Sequence, residues 1–212
     1  MKDIIFATGN AGKMKEIREI LADLGVEILS MKEAGIEAEV EENGVTFEEN
    51  ALIKAAGIAA WCRENGVPGC SGKTADDFIV LADDSGLEVD YLNGEPGVYS
   101  ARYMGHDTSY REKNANIIAR LEGVPKQERT ARFVCAIAAV FPDGAHEAAR
   151  AAVEGYIGWK ESGENGFGYD PIFYLYENDL STAQLSPEEK NAISHRGKAL
   201  RLMKKKMQER EE

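Results

Sequence analysis

The stretch IIFATGNAGKMKEIREILADL (residues 4–24) contains an expected strand, a polar turn and an expected helix in direct succession. The apolar run from Ile4 to Ala7 is typical of a buried strand. From Lys13 to Leu24, apolar side chains recur every three or four residues, as on one face of a helix, and Gly25 provides a stop. This strand–turn–helix order is the first step of an α/β pattern.

The rest of the chain continues the alternation. Thr46 and Glu49 form a capping-box pattern, which predicts a helix that ends near Gly66. Further helices are expected over residues 109–122, from Ser186 and from near Ser194. Strands are expected over residues 27–29, 78–92, 131–141, 148–156 and 172–176, the second broken at its acidic pair and the third and fourth paired antiparallel. The sequence therefore predicts one α/β domain, residues 1–212, with a mixed central sheet flanked by helices.

The composition argues against several broad classes of protein. With 212 residues and 43% hydrophobic content, the chain can bury a core and is not expected to be disordered. Its net charge of −12 argues against a nucleic-acid partner, because such proteins neutralise phosphates with basic residues. No apolar run suits a signal peptide or a membrane span, so no membrane partner and a cytoplasmic location are expected. The three cysteines lack the spacing of a disulfide framework or a zinc site.

The turn from Thr8 to Lys13 carries the first chemical signal. A strand that turns tightly into a helix points backbone N–H groups outward at the positive end of the helix dipole, and Lys13 adds a charge one turn further on. This arrangement suits a phosphate group. The alternative is an Asn-capped turn with Lys13 facing solvent.

A competing phosphate loop lies at residues 66–74, GVPGCSGKT, which ends like a P-loop. The P-loop pattern requires glycine at position 67, where this chain has Val67. The residues that follow lead to a strand, whereas a P-loop leads to a helix that receives the phosphates. A P-loop kinase, in which Lys73 would be essential, is therefore the weaker alternative.

The acidic pair in LADDSGL (residues 81–87) is a sharper signal. Carboxylates near a core are costly unless cations or a metal ion receive them. Successive side chains of a strand face opposite sides, so Asp83 and Asp84 are expected to have different roles. We expect Asp84, beside Ser85, to face a cleft. A strand-ending turn with side-chain hydrogen bonds is the alternative.

Three other segments carry polar groups that suit a nucleotide. Glu41 and Glu42 precede the capped helix that bears Lys54, and a carboxylate there could join Asp84 in a magnesium site. GFGYDP (residues 166–171) places aromatic and acidic side chains in a Gly-rich loop, where a base can stack. SHRGKAL (residues 194–200) sets two donors, His195 and Arg196, at a helix start, where an oxygen acceptor is favoured. Solvated acids, structural aromatics and an ordinary surface position are the respective alternatives.

Five segments together resemble the non-standard purine nucleoside triphosphate pyrophosphatases, the inosine triphosphatase-like family. They occur in order and span nearly the whole chain: ATGNAGK, ENGVTFEENALIKA, LADDSGLEVDYLNGEPGVYSARY, GFGYDPIF and LSPEEKNAISHRGKAL. The resemblance implies a Mg²⁺-dependent enzyme that hydrolyses ITP, dITP and XTP to the nucleoside monophosphate and pyrophosphate and so removes them from the nucleotide pool. It also implies a homodimer of two-lobed subunits, each with its active-site cleft between the lobes.

The resemblance assigns roles to single residues as well. Substrate is expected to contact Lys54, Ser85 and the turn residues Thr8, Gly9, Asn10, Ala11, Gly12 and Lys13, which would hold the triphosphate. Asp84 is expected to bind metal and help activate water, with Glu41 as the second metal carboxylate and Glu42 as its alternative. The base is expected to contact Phe167, Gly168, Tyr169 and Asp170. Lys190 would contact the nucleotide, and His195 with Arg196 would read its 6-oxo group.

This assignment agrees with the hydrogen-bonding of purines. Donors aimed at O6 suit inosine and xanthine, whereas the 6-amino group of adenine would meet them donor to donor and leave buried groups unpaired. We therefore expect ATP to be rejected, while the sequence offers no residue that would reject GTP. A nucleotide sensor that binds without hydrolysis is the main alternative, and residues 67–78 are expected to form a surface excursion beyond the usual family connection.

Overall fold

The computed structural model describes residues 1–211. In this part of the chain, six strands form one mixed sheet, and five α-helices and several short 3-10 helices lie between the strands or follow them in sequence. The strands are β1 Asp3–Phe6, β2 Ile28–Ser30, β3 Phe78–Val89, β4 Thr130–Val140, β5 His146–Ile157 and β6 Phe173–Tyr174. The helices are α1 Ala11–Leu21, α2 Phe47–Asn65, α3 Tyr110–Arg120, α4 Pro187–Ile193 and α5 His195–Glu211. The sheet order is β2-β1-β3-β4-β5-β6. β1 is parallel to β2 and β3, and β5 is antiparallel to β6, so the predicted mixed α/β fold is confirmed.

The chain divides into two compact units, each assembled from segments that are distant in sequence. The first unit comprises residues 1–84, residues 135–151 and the chain from Arg196 onward. Its core is formed by apolar residues of β1, α1 and α5, among them Phe6 and Ile17. The amphipathic pattern that predicted α1 therefore marks the face that this core buries.

The second unit comprises residues 85–134 and 152–195. It has a core of its own, which includes Ile117 of α3, Phe133 of β4 and Phe173 of β6. The single two-lobed domain expected for residues 1–212 remains a prediction.

The helix starts follow the sequence signals closely. Thr46 caps α2, since its hydroxyl accepts a hydrogen bond from the Glu49 backbone N–H at 3.1 Å. Ser186 caps α4 in the same way, with a reciprocal bond from its backbone N–H to Glu189. Within residues 1–211, none of the helices combines the length and the apolar character that crossing a bilayer demands.

Two strand predictions need correction. The break expected at Asp83 and Asp84 does not occur, because β3 runs without interruption from Phe78 to Val89. The side chains of both acids find polar partners within the first unit, so the strand can carry them. The strand expected over residues 172–176 is reduced to Phe173–Tyr174, because Asp170–Ile172 forms a 3-10 turn in which Pro171 has no N–H to donate to a ladder.

Candidate active site

The turn after β1 is an exposed, Asn-capped entry to α1. The Asn10 side chain accepts a hydrogen bond from the Lys13 backbone N–H at 3.1 Å, and the Asn10 N–H donates to the Thr8 hydroxyl at 3.2 Å. Gly9 faces open space, and a cavity of about 440 Å³ adjoins the turn, lined by Thr8, Gly9, one face of α1 and the residues after β2. The predicted cap is present, and the N-terminal end of α1 is open to a ligand.

Lys13 does not simply face solvent, because its Nζ lies 2.8 Å from Oδ2 of Asp83. Asp83 is 1% exposed, and its Oδ2 also accepts a hydrogen bond from Nε of Arg196 at 3.4 Å. Burial alone would raise the pKa of Asp83, but the positive charges of Lys13 and Arg196 outweigh it and hold the pKa well below its usual value. Asp83 is therefore a permanent anion that fixes Lys13 beside the turn.

Arg196 is also buried, at 3% exposure, and its Nη1 donates to the carboxylate of Glu16 on α1. The sequence assigned this guanidinium to the 6-oxo group of a base. In the first unit it contacts two carboxylates, Asp83 and Glu16, and its contact with a base remains a prediction. Glu16 was missed by sequence reasoning, and its only signal is an acidic residue one turn from Lys13 on α1.

Asp84 lies in a different environment from its neighbour. Its Oδ2 accepts a hydrogen bond from Nδ2 of Asn50 at 3.0 Å. Burial raises the pKa of Asp84 to about 6; the Asn50 bond opposes this rise, and the nearby negative charge of Glu42 adds to it. A carboxyl group with such a pKa can take up and release a proton near neutral pH.

Asn50, which sequence reasoning did not single out, contacts Asp84. It is 1% exposed on the buried face of α2. Its Oδ1 accepts a hydrogen bond from the Gly44 N–H at 2.8 Å, and its Nδ2 donates to Asp84. Both ends of the carboxamide are thus defined. The available signal was a polar residue within the apolar stripe of α2.

The acidic loop before α2 supplies a second carboxylate. Glu42 pairs with Nζ of Lys54 at 2.6 Å and lies close enough to Asp84 for its charge to act there, whereas Glu41 is exposed. Residues 1–211 contain no ready-made cluster of three or more His, Cys, Asp or Glu side chains for a metal. Two carboxylates still fit Mg²⁺, which is commonly held by one or two protein carboxylates together with water and substrate phosphates. The structure favours Glu42 over Glu41 as the partner of Asp84.

In the second unit, Asp170 organises the Gly-rich loop. Its Oδ2 accepts the Phe167 N–H at 2.8 Å and lies 2.6 Å from Nζ of Lys190, while its Oδ1 accepts the Thr182 hydroxyl at 2.8 Å. Gly166 has φ +75°, and a Cβ there would lie 2.2 Å from Oδ2 of Asp170, so glycine is required. Asp170 was expected to contact the base, and Thr182 was not anticipated.

The aromatic residues of this unit differ in exposure. Phe167 is 43% exposed, with Nζ of Lys190 5.0 Å from its ring centroid. Tyr169, expected at the base, is 4% exposed and donates its hydroxyl to the Ser100 carbonyl at 2.7 Å, so it anchors the loop. His195 stacks on Phe133 of β4, with ring centroids 5.0 Å apart and an interplanar angle of 22°.

Ser85 follows Asp84 in β3 and is half-buried.

The competing GVPGCSGKT loop has a structural role at the start of β1. Lys73 pairs with Asp3, the first residue of β1, at 2.6 Å and with Glu27 at 3.1 Å. Thr8 lies two residues after the last residue of β1, so Lys73 and the turn from Thr8 to Lys13 lie at opposite ends of that strand. This placement argues against a P-loop.

Comparisons with known proteins find relatives over nearly the whole chain. A sequence model of the Ham1 family matches residues 4–206. The chain is 48% identical to a dITP/XTP pyrophosphatase of Clostridium perfringens, with 96% of each chain covered, and 44% identical to one of Bacillus subtilis, with 97% of this chain and 96% of the relative covered.

Solved structures give the same result. A HAM1 protein from Coxiella burnetii is 37% identical, with a TM-score of 0.83 over 99% of this chain and 100% of the other. The Staphylococcus aureus Ham1 protein is 38% identical, with the same TM-score and coverage. On this similarity over nearly its whole length, the chain belongs to the Ham1 family.

Proposed function

We propose that this protein hydrolyses the non-standard purine nucleoside triphosphates ITP, dITP and XTP to the nucleoside monophosphate and pyrophosphate, and so removes them from the nucleotide pool. The observation that carries the proposal is that the first unit holds both an open helix N-terminus, where Lys13 is paired with Asp83, and the half-buried carboxylate of Asp84 held by Asn50. The dITP/XTP pyrophosphatases among its relatives support the same class of diphosphate-releasing hydrolase.

The turn is proposed to hold the triphosphate. Backbone N–H groups at the start of α1 and the ammonium of Lys13 attract phosphate oxygens. Asp83 keeps Lys13 in place and is itself held by Arg196, which we therefore assign to positioning and not to the base. The substrate-binding roles predicted for Thr8, Gly9, Asn10, Ala11 and Gly12 are retained, as is that of Lys54, which also neutralises Glu42.

Asp84 and Glu42 are proposed to hold Mg²⁺. When bound, the ion would withdraw charge from the triphosphate and make a coordinated water more acidic. Asp84, held by the Asn50 amide at 3.0 Å, would orient the attacking water and accept its proton. Attack at the α-phosphorus then releases pyrophosphate, with catalysis by positioning and electrostatics.

In the second unit, Phe167 is proposed to stack on the base, and His195 to donate to its 6-oxo group. Lys190, held by Asp170, is proposed to contact the nucleotide. Ser85 and Gly168 retain their predicted contacts with substrate. The 6-amino group of adenine offers His195 no acceptor, so ATP would leave a donor unpaired and should react slowly. A homodimer and a cytoplasmic location belong to the same proposal; light scattering of the purified protein tests the former.

The decisive experiment measures pyrophosphate release from ITP, XTP, GTP and ATP with Mg²⁺, for the wild type and for Asp84→Asn. We expect release from ITP and XTP, little from ATP, and loss of at least 10²-fold in the variant, the usual contribution of a general base. Binding of ITP without cleavage by the wild type would overturn the proposal in favour of a nucleotide sensor.

A further inference from the structure

Helix α3 supports the Gly-rich loop of the second unit at two residues one turn apart. The Tyr110 ring meets the Tyr169 ring edge-on, with centroids 5.3 Å apart. One turn further along α3, Nδ2 of Asn114 donates to the Gly168 carbonyl at 3.3 Å and to Oε1 of Glu161 at 2.8 Å. Sequence reasoning gave α3 no role at the site.

The environment of Asn114 is not explained by stability. The residue is 1% exposed, and among the residues that the structure describes its Oδ1 has no hydrogen-bond partner. A buried acceptor without a donor destabilises a fold, so an apolar residue at this position would be expected to serve packing better. What the carboxamide does supply is a donor to the loop backbone, at Gly168.

The loop needs such an anchor because its backbone is permissive. Gly166 and Gly168 both adopt positive φ, at +75° and +69°, where glycine is free to move to other conformations. Asp170 fixes the N–H of Phe167, which lies between these glycines, and Asn114 fixes the carbonyl of Gly168. The exposed Phe167 ring is therefore carried by peptide groups that are held from two sides.

Other contacts fix α3 relative to the same loop. Lys113 is 1% exposed and donates to the Ala101 carbonyl at 2.7 Å, while the adjacent Ser100 carbonyl accepts the Tyr169 hydroxyl. The helix, the segment around Ser100 and the loop thus form a closed set of contacts. The hydrogen bond from Asn114 to the Gly168 carbonyl is the longest of these contacts.

Resting on the proposed function, we propose that Asn114 is a positioning residue that sets the orientation of Phe167 and thereby the binding of the purine base. It acts through Gly168 and does not touch substrate. Its removal is expected to loosen the loop and weaken recognition of the base, whereas the phosphate chemistry of the first unit stays unchanged.

The test compares Asn114→Ala with Asn116→Ala, a matched control on the same helix whose side chain accepts the Tyr103 hydroxyl instead. Glu161→Ala is a second variant that removes the exposed partner of Asn114 without cutting into the core. Backbone hydrogen exchange of residues 166–170 is measured without substrate, together with Tm and with kcat and KM for ITP.

We expect Asn114→Ala to speed exchange of this loop and to lower kcat/KM for ITP about tenfold through KM, the effect of one lost hydrogen bond. The kcat for ITP and Tm should stay close to wild type, Glu161→Ala should shift exchange and KM in the same direction by less, and Asn116→Ala should change neither. Unchanged exchange, or a loss for ITP that follows Tm, would overturn the proposal. If the wild type cleaves no nucleotide, the proposed function fails, while the exchange data still decide whether Asn114 anchors the loop.

Discussion

Asp83 and Asp84 carry the same side chain on adjacent residues, yet their surroundings move their pKa values in opposite directions. Two cations, on Lys13 and Arg196, overcome the burial of Asp83 and keep it ionised. For Asp84, the amide of Asn50 and the positive charge of Lys54 oppose the rise in pKa but do not outweigh burial and the charge of Glu42. The first acid can hold a cation in place, and the second can accept a proton. The alternation of a strand made this division of roles predictable; its direction depended on contacts made 70 to 113 residues away.

This difference predicts opposite effects on stability when each acid is made neutral. The folded pKa of Asp84 lies above its unfolded value of 3.8, so the charged form costs stability above pH 6, and this cost vanishes below about pH 4. In metal-free buffer at pH 8, Asp84→Asn should raise the free energy of unfolding by roughly 1–3 kcal/mol. Denaturant unfolding at pH 8 and pH 4 checks this, and no gain at pH 8 would contradict the raised pKa.

Asp83→Asn is the matched control, with the opposite sign. A depressed folded pKa contributes stability above the unfolded value, so this variant should be destabilised at pH 8 and lose its deficit as the pH falls. Stabilisation by both substitutions would mean that burial alone, and not the paired cations, sets the behaviour of Asp83.

The role of Arg196 can be tested in the same way. Removing one partner of a buried ion pair leaves an uncompensated charge, so Arg196→Leu should cost about 3–5 kcal/mol of unfolding free energy. Lys198→Leu, on an exposed position of α5, should change stability by about 0.5 kcal/mol or less. Thermal unfolding of both variants checks this. A stable Arg196→Leu protein with a raised KM for ITP alone would restore the base-reading role.

Most helices and strands could be predicted because each has a local pattern in the sequence. The caps of α2 and α4 and the apolar face of α1 appear where the sequence placed them. The uninterrupted β3 and the two-residue β6 could not be predicted, because they depend on distant ion partners and on a local 3-10 turn. The same limit hid Asn50, Thr182 and Phe133, whose sequence contexts are those of ordinary core positions.

A substitution at the start of α2 tests whether the hydrogen bond between Gly44 and Asn50 supports Asp84 independently of the helix cap. Gly44 donates to Asn50, and a Cβ at Gly44 would lie 2.8 Å from Oδ1 of that side chain and 2.7 Å from Cβ of Glu49. Gly44→Ala should therefore displace the Asn50 amide from Asp84 and lower kcat for ITP by about tenfold. Steady-state kinetics with Mg²⁺ measures the change.

Thr46→Ala is the control for this prediction, because it removes the helix cap and leaves Asn50 untouched. It should cost about 1 kcal/mol of stability with kcat unchanged. If Gly44→Ala and Thr46→Ala lowered kcat equally, the helix start as a whole, and not the Gly44–Asn50 bond, would support Asp84.

For the whole molecule, the charge balance explains why a metal is expected. A chain with a net charge of −12 must bind a highly negative triphosphate, so it needs cations placed locally. Lys13 and Lys54 are such cations, but each is already paired with a carboxylate, Asp83 and Glu42 respectively. A divalent ion shared between the protein carboxylates and the phosphates would supply the missing charge. Motif order predicted the kinds of residue at the site, but choosing between Glu41 and Glu42 required the fold, since both lie in a loop without periodicity.

The choice between these glutamates gives the last prediction, with the two acids serving as each other's control. Hydrolysis of ITP should be abolished by EDTA and restored by Mg²⁺. Glu42→Gln should raise the Mg²⁺ concentration for half-maximal rate by about tenfold or more, because it removes one anionic ligand next to Asp84. Glu41→Gln should leave that concentration unchanged, because Glu41 is exposed. A magnesium titration of the initial rate at saturating ITP measures both variants, and the reverse ranking would transfer the metal site to Glu41. Because Glu42→Gln also releases Lys54, a variant that gains affinity for ITP while it loses affinity for Mg²⁺ would show that this lysine is shared between carboxylate and phosphate.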